Sequence, residues 1–106
     1  MLEMGIKGKE EVMVTENNSA IAMESGTLKV FATPAMAALM EKTAWKSVAP
    51  FLEKGQCTVG PKLNLSHSAS TPIGMKVICE SELVAIEGRK LVFKISASDE
   101  VGIIGE

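Results

Sequence analysis

A chain of 106 residues has the size of one small domain, and with 46% apolar and 23% charged residues its proportions are globular. A net charge of −2 argues against a nucleic-acid protein, which shows a basic patch, and no apolar run approaches membrane-spanning length. Met1-Leu2-Glu3-Met4-Gly5 has no basic region followed by an apolar core, so no signal peptide is expected, and a core of this size favours association with a partner.

Ile6 to Thr15 is the first expected strand, with Ile6, Val12 and Val14 on one face and an alternation weakened by Gly8 and Glu10. Glu16-Asn17-Asn18-Ser19 is loop chemistry. Ala20 to Lys29 is small and weakly patterned, broken by Ser25-Gly26, and fits a helix turn or a flap. From Phe31 to Pro50 the chain writes one long helix. Thr33 is the expected N-cap, Pro34 suits the first helical position, and Pro50 stops the run after Ala49. For two turns after Pro34 no polar residue occurs, which predicts a buried helix. Glu41 then interrupts it. A buried carboxylate must be paired, protonated or turned to a cavity; taken alone, Glu41 would only begin the polar face continued by Lys42 and Lys46.

After the connector Glu53-Lys54-Gly55-Gln56, alternation over residues 57–67 puts Cys57, Val59, Leu63, Leu65 and His67 on one face. A bulge or strand edge is expected at Gly60-Pro61, since proline cannot donate to the ladder. His67 thus points to the core side, where an isolated histidine is ordinarily hydrogen-bonded to backbone. Ser70 to Gly74 is a turn. Met75 to Ala85 and Arg89 to Ser98 form a hairpin. A three-residue loop, Ile86-Glu87-Gly88, pairs Leu83 with Leu91, Ser81 with Phe93, Cys79 with Ile95 and Val77 with Ala97, with Glu80 opposite Lys94. A two-residue loop would set Glu82 against Phe93, so the first register is preferred. Asp99 to Gly102 turns again, and Ile103-Ile104 begins a last strand. Cys57 and Cys79 lack metal-ligand spacing and are expected to be reduced core residues of a cytoplasmic protein; neither metal nor cofactor is called for.

The order strand, flap, apolar helix, then three or four antiparallel strands predicts an α+β fold in which one sheet wraps one helix. The helix then presents Thr33 and Glu41 toward the sheet, and His67 points from the sheet toward the helix. A hydroxyl, a carboxylate and an imidazole near one point are the parts of an acyl-transfer site.

Several stretches carry a family resemblance: Ala32-Thr33-Pro34-Ala35-Met36, Leu39-Met40-Glu41, Thr58-Val59-Gly60, His67 to Gly74, and Glu87-Gly88-Arg89-Lys90-Leu91. In order and spacing they resemble the hot-dog-fold thioesterases of the fluoroacetyl-CoA thioesterase type, from about Ile6 to Glu106. The resemblance implies a single domain over residues 1–106, a homodimer with sites at the subunit interface, and an acyl-CoA substrate. It implies catalytic roles for Thr33, Glu41 and His67, with Gly60 lining the acyl pocket. Two departures stand out. The specialised enzyme has phenylalanines in the segment before the helix, whereas Ala20 to Val30 holds no aromatic residue. The family pattern also continues past Gly105-Glu106 with a Gly-x-His-x-Arg strand, which implies that the present sequence stops short of it. The expected function is hydrolysis of a short or medium acyl-CoA in the cytoplasm, without nucleic-acid or membrane partners. The alternative is a non-catalytic acyl-CoA-binding or dimerisation module on the same fold.

Overall fold

A computed structural model describes residues 2–52, 63–88 and 90–106. Four antiparallel strands, β1 (Lys7–Met13), β2 (Lys76–Glu87), β3 (Lys90–Ser98) and β4 (Ile103–Gly105), lie in the order β1-β2-β3-β4, and one long helix, α1 (Thr33–Val48), packs on the sheet. This is the expected α+β architecture. The helix buries a stripe, Met36, Leu39, Met40, Thr43, Ala44 and Val48, at the three- and four-residue spacing of one helical face. Opposite it, alternation along β2 buries Val77, Cys79, Ser81 and Leu83, joined by Ala97 and Ile104. Each large apolar side chain withdrawn from water here contributes about 1.5–3 kcal/mol. The opposite face of α1, with Ala38, Glu41, Lys42, Trp45 and Lys46, is exposed in the single chain. A helix buried all round was expected; the long side chains that begin at Glu41 set its polar face instead.

Helix and sheet approach closely at two glycines. A Cβ on Gly8 would lie 2.7 Å from both the Thr43 carbonyl oxygen and Ser47 Cβ, and one on Gly105 would lie 2.6 Å from Met36 Sδ and Cε. Glu10, on the inward side of β1, faces Lys42 Nζ at 3.5 Å and Lys46 Nζ at 3.9 Å, so the strand's awkward inward charge is answered by the helix.

The β2–β3 hairpin departs from the expected register by two residues. Leu83 faces Phe93, Ser81 faces Ile95, Cys79 faces Ala97 and Glu82 faces Lys94, with Glu87 paired to Lys90. Carried on from Glu87–Lys90 without interruption, the pairing would set Leu83 against Lys94; a bulge between Leu83 and Ala85 prevents this. The extra residue, Val84, is exposed, and it returns every inward side chain to the core face. Gly88 adopts the left-handed conformation (φ 63°) that the turn demands.

Ala20 to Lys29 is neither helix nor strand but an exposed looped-out segment, closed at its base by a Ser19–Phe31 bridge and by Ala20 N–H donating to Val30 O at 2.7 Å. Residues 66–68 run along β4: Ser66 exchanges hydrogen bonds with Glu106 (3.0 and 3.1 Å), His67 bridges Gly105, and Ser68 N–H donates to Ile104 O at 2.8 Å. Leu65 and His67 turn inward while Asn64 and Ser66 face out, as the alternation predicts, although Leu63 is exposed. Cys57 and the interruption at Gly60-Pro61 lie outside the described residues. Cys79 is a buried free thiol whose pKa burial pushes up, partly offset by a hydrogen bond with Thr43. No described helix is long and apolar enough to cross a membrane.

Candidate active site

The site forms where the N-terminus of α1 meets the segment leading away from His67. Ala32, extended at φ −74° and ψ 141°, is the capping residue, and Thr33 is the first residue of the helix. The expected N-cap therefore moves by one position. The Thr33 hydroxyl, released from capping, lies 2.8 Å from His67 Nδ1. Met36 N–H, bonded to Ala32 O at 3.0 Å, closes the first helical turn. The N–H groups before it have no intrahelical partner, so the positive end of the helix dipole faces the site.

Around this pair lies an open pocket of about 260 Å³. The looped-out segment contributes Ala20 and Ser25, the approach to α1 contributes Val30 and Phe31, and Ser68 to Ser70 form the facing wall beside Thr33 and His67. Phe31 is buried, so its ring belongs to the floor of the pocket and to the core.

The His67 ring is held on one side only. Nε2 is buried and has no hydrogen-bond partner among the described residues. Two tautomers satisfy the 2.8 Å contact. With the proton on Nε2, Thr33 donates to Nδ1 and its oxygen gains electron density. With the proton on Nδ1, the ring donates to Thr33 and frees the hydroxyl proton to point into the pocket. An orphaned buried polar atom costs about 1–3 kcal/mol, which marks Nε2 as a position where a further contact is favourable.

Glu41 stands apart. It lies on the exposed face of α1, two turns beyond Thr33, and among the described residues it makes neither a hydrogen bond nor an ion pair. Within one chain the structure brings Thr33 and His67 together and leaves Glu41 in solvent, where a buried carboxylate was expected. Gly60 is outside the described residues. No group of three or more potential metal ligands occurs among the described residues.

Sequence reasoning missed the fastening behind the pocket wall. Thr71, fully buried, donates from its hydroxyl to Asp99 Oδ2 at 2.8 Å. Both residues carried only turn signals, and a bond across that sequence distance leaves no local pattern.

The architecture is that of the hot-dog fold. It superposes on the solved fluoroacetyl-CoA thioesterase FlK with a TM-score of 0.92 at 31% identity, covering 99% of this chain and 82% of that one. A hot-dog-like protein from Thermanaerovibrio acidaminovorans matches in fold, with a TM-score of 0.89 at 18% identity over 98% of this chain and 77% of its own. Residues 14–106 match the family described as fluoroacetyl-CoA-specific thioesterase, and the chain belongs to that family. The curated fluoroacetyl-CoA thioesterase of Streptantibioticus cattleyicolor is 42% identical over 77 residues, 73% of this chain. The match spans only 55% of that relative's length. A phenylalanine-to-alanine variant of FlK has been solved with fluoroacetate and CoA; this chain resembles it with a TM-score of 0.88 at 31% identity, covering 98% of this chain and 88% of that one.

Proposed function

We propose that this chain hydrolyses acyl-CoA thioesters, working as a homodimer in the cytoplasm. The observation that carries the reading is the Thr33–His67 pair, 2.8 Å apart at a helix N-terminus and beside an open pocket, in a member of a thioesterase family. Water is added across the C–S bond, giving a carboxylic acid and the free thiol of coenzyme A. The acyl carbonyl lies against the α1 N-terminus, where unpaired N–H groups and the helix dipole stabilise the charge that develops on its oxygen. Thr33 hydrogen-bonds the carbonyl, and His67 orients Thr33 and exchanges a proton with it. Glu41 either attacks the carbonyl, giving an anhydride that water opens, or takes the proton from an attacking water. The backbone near Gly60 would supply further donors to the acyl pocket. The solvent exposure of Glu41 in one chain supports the dimer, since a second copy across the exposed face of α1 would enclose the carboxylate and complete the site.

The substrates are short or medium acyl-CoAs accepted with low selectivity. Discriminating one small group in an apolar pocket is worth only about 1–3 kcal/mol and needs a close fit. The looped-out segment over this pocket has no aromatic residue, and its apolar side chains Ile21, Met23 and Leu28 are exposed. Thiol release from acetyl-, fluoroacetyl-, butyryl- and phenylacetyl-CoA tests both statements. No release from any of them rejects the hydrolase. A fluoroacetyl preference of roughly a thousandfold over acetyl, well outside what a loosely fitted pocket achieves, rejects the low selectivity.

A further inference from the structure

We infer that Asp99 is a positioning residue for the Thr33–His67 pair, acting through Thr71; its importance for turnover rests on the hydrolase reading above, its effect on the geometry does not. Thr33 and His67 reach the site on different segments, and both segments are tied at Thr71. On one side the Thr71 carbonyl accepts from Phe31 N–H at 2.8 Å, and Pro72 bridges Val30; Thr33 follows two residues after Phe31. On the other side the chain runs back from Thr71 through the pocket wall to His67. Thr71 itself is held by its hydroxyl bond to Asp99 Oδ2 at 2.8 Å.

The Asp99 carboxylate is a firm anchor. Its second oxygen, Oδ1, accepts from Val101 N–H at 2.8 Å and Gly102 N–H at 3.1 Å, and Asp99 N–H donates to Gly102 O at 2.9 Å. Both oxygens are thus engaged and the side chain has one orientation. The same turn leads directly into β4, whose Ile104 accepts from Ser68 N–H and whose Gly105 bridges His67. Asp99 therefore fixes where the wall carrying His67 sits relative to the segment carrying Thr33. A hydrogen bond weakens steeply once donor and acceptor separate beyond about 3.5 Å, so a small shift of this wall is enough to break the pair.

The test uses the protein's single histidine. In uniformly 15N-labelled protein the imidazole signals belong to His67 alone, and the signals of Thr33→Val define the state in which Nδ1 is no longer bonded to a hydroxyl. Thr71→Val, which keeps the volume and removes the hydroxyl, is expected to move the His67 signals toward those of Thr33→Val while the protein stays folded. It is expected to lower kcat for acyl-CoA hydrolysis roughly tenfold or more, on the scale of a misplaced catalytic group. Thr71→Ser, which retains the hydroxyl, is expected to keep wild-type signals and turnover. Should Thr71→Val not fold, Asp99→Ala removes the acceptor from the partly exposed side and is judged by the same signals. Wild-type His67 signals in a folded Thr71→Val or Asp99→Ala, with only a lower urea midpoint, would overturn the assignment and reduce the bond to a structural one. If the wild-type protein releases no thiol, the hydrolase reading falls while the His67 signals still decide the role of Asp99.

Discussion

Replacing Gly8 by alanine probes how closely α1 lies on the sheet. The added Cβ would stand 2.7 Å from the Thr43 carbonyl oxygen, 2.7 Å from Ser47 Cβ and 2.8 Å from Ser81 Oγ, all inside the 3.4 Å at which ordinary contact begins. Two of these obstacles cannot swing away. The Thr43 carbonyl is helix backbone, and Ser47 Cβ is fixed to it, so either the helix lifts or β1 bends. Overpacking of this kind costs about 1–3 kcal/mol. Against it, losing a glycine reduces the freedom of the unfolded chain, a gain of about 0.4–1 kcal/mol where the backbone conformation suits alanine. The balance spans about 0–2.6 kcal/mol and centres on a loss of about 1.3 kcal/mol. Urea unfolding at one fixed protein concentration, so that association does not contribute, measures it. Gly102→Ala, where nothing lies within 4 Å of the new atom, is the control and is expected to be neutral or slightly stabilising. A Gly8→Ala protein as stable as the wild type would refute the close contact between β1 and α1, and with it the packing that orients the helix over the pocket.

Other perturbations act on the core, the chemistry and the pH response. Met36→Ala empties a fully buried site at the middle of the core, and a loss of about 2–5 kcal/mol in the same urea assay is expected. Under the proposed mechanism Glu41→Gln keeps shape and removes the acid–base or nucleophilic oxygen, and kcat for acyl-CoA hydrolysis should fall roughly 10²-fold or more. A loss of stability without a loss of rate would make Glu41 structural. For Asp99, burial opposes the charge but is outweighed by hydrogen bonds from Val101 N–H, the Thr71 hydroxyl, Gly102 N–H and its own N–H, which hold its pKa below the usual carboxylate range. A folded-state pKa below the unfolded one contributes stability that is present above the unfolded pKa and lost as pH falls through the folded one. Asp99→Asn should therefore flatten part of the acid limb of stability against pH, and an unchanged limb would show that the carboxylate adds nothing.

Much of the fold was legible because its signals are periodic. Val77, Cys79 and Leu83 alternate onto the core, and Met36, Leu39, Met40 and Thr43 recur at helical spacing. The hairpin register was not legible, because two loops were compared as if strands were regular. The pairing instead closes at Glu87–Lys90, and the bulge at Val84 restores the inward face; a bulge is chosen by tertiary packing, with no mark in a run of β-branched and small residues. The helix boundary failed for a related reason. Thr33 has the chemistry of a cap, but its hydroxyl has a second suitor in His67, and local propensity cannot weigh a partner far along the chain.

The same contrast explains the site. Sequence places Thr33, Glu41 and His67 near one point, because the helix carries the first two toward the sheet and His67 alternates onto the inward side; of the three, the structure joins Thr33 and His67. Glu41 was singled out on the opposite ground, as a charge inside an apolar helix, and there the inference about burial went astray. Helical spacing sets Glu41 beside Lys42, Trp45 and Lys46 on the face that one chain leaves exposed, even though Trp45 is 47% accessible and large enough to belong in a contact. Glu10 draws Lys42 and Lys46 toward β1, while Lys46 Nζ also lies over the Trp45 ring, 5.9 Å from its centroid, so that Ala38 and Glu41 are the least encumbered part of that face. A carboxylate flanked by a small residue and an indole is well placed to be enclosed when a second surface arrives. In the proposed dimer, burial of Glu41 is a property of the assembly, and a sequence announces it only by placing an acid where a single chain has no use for one.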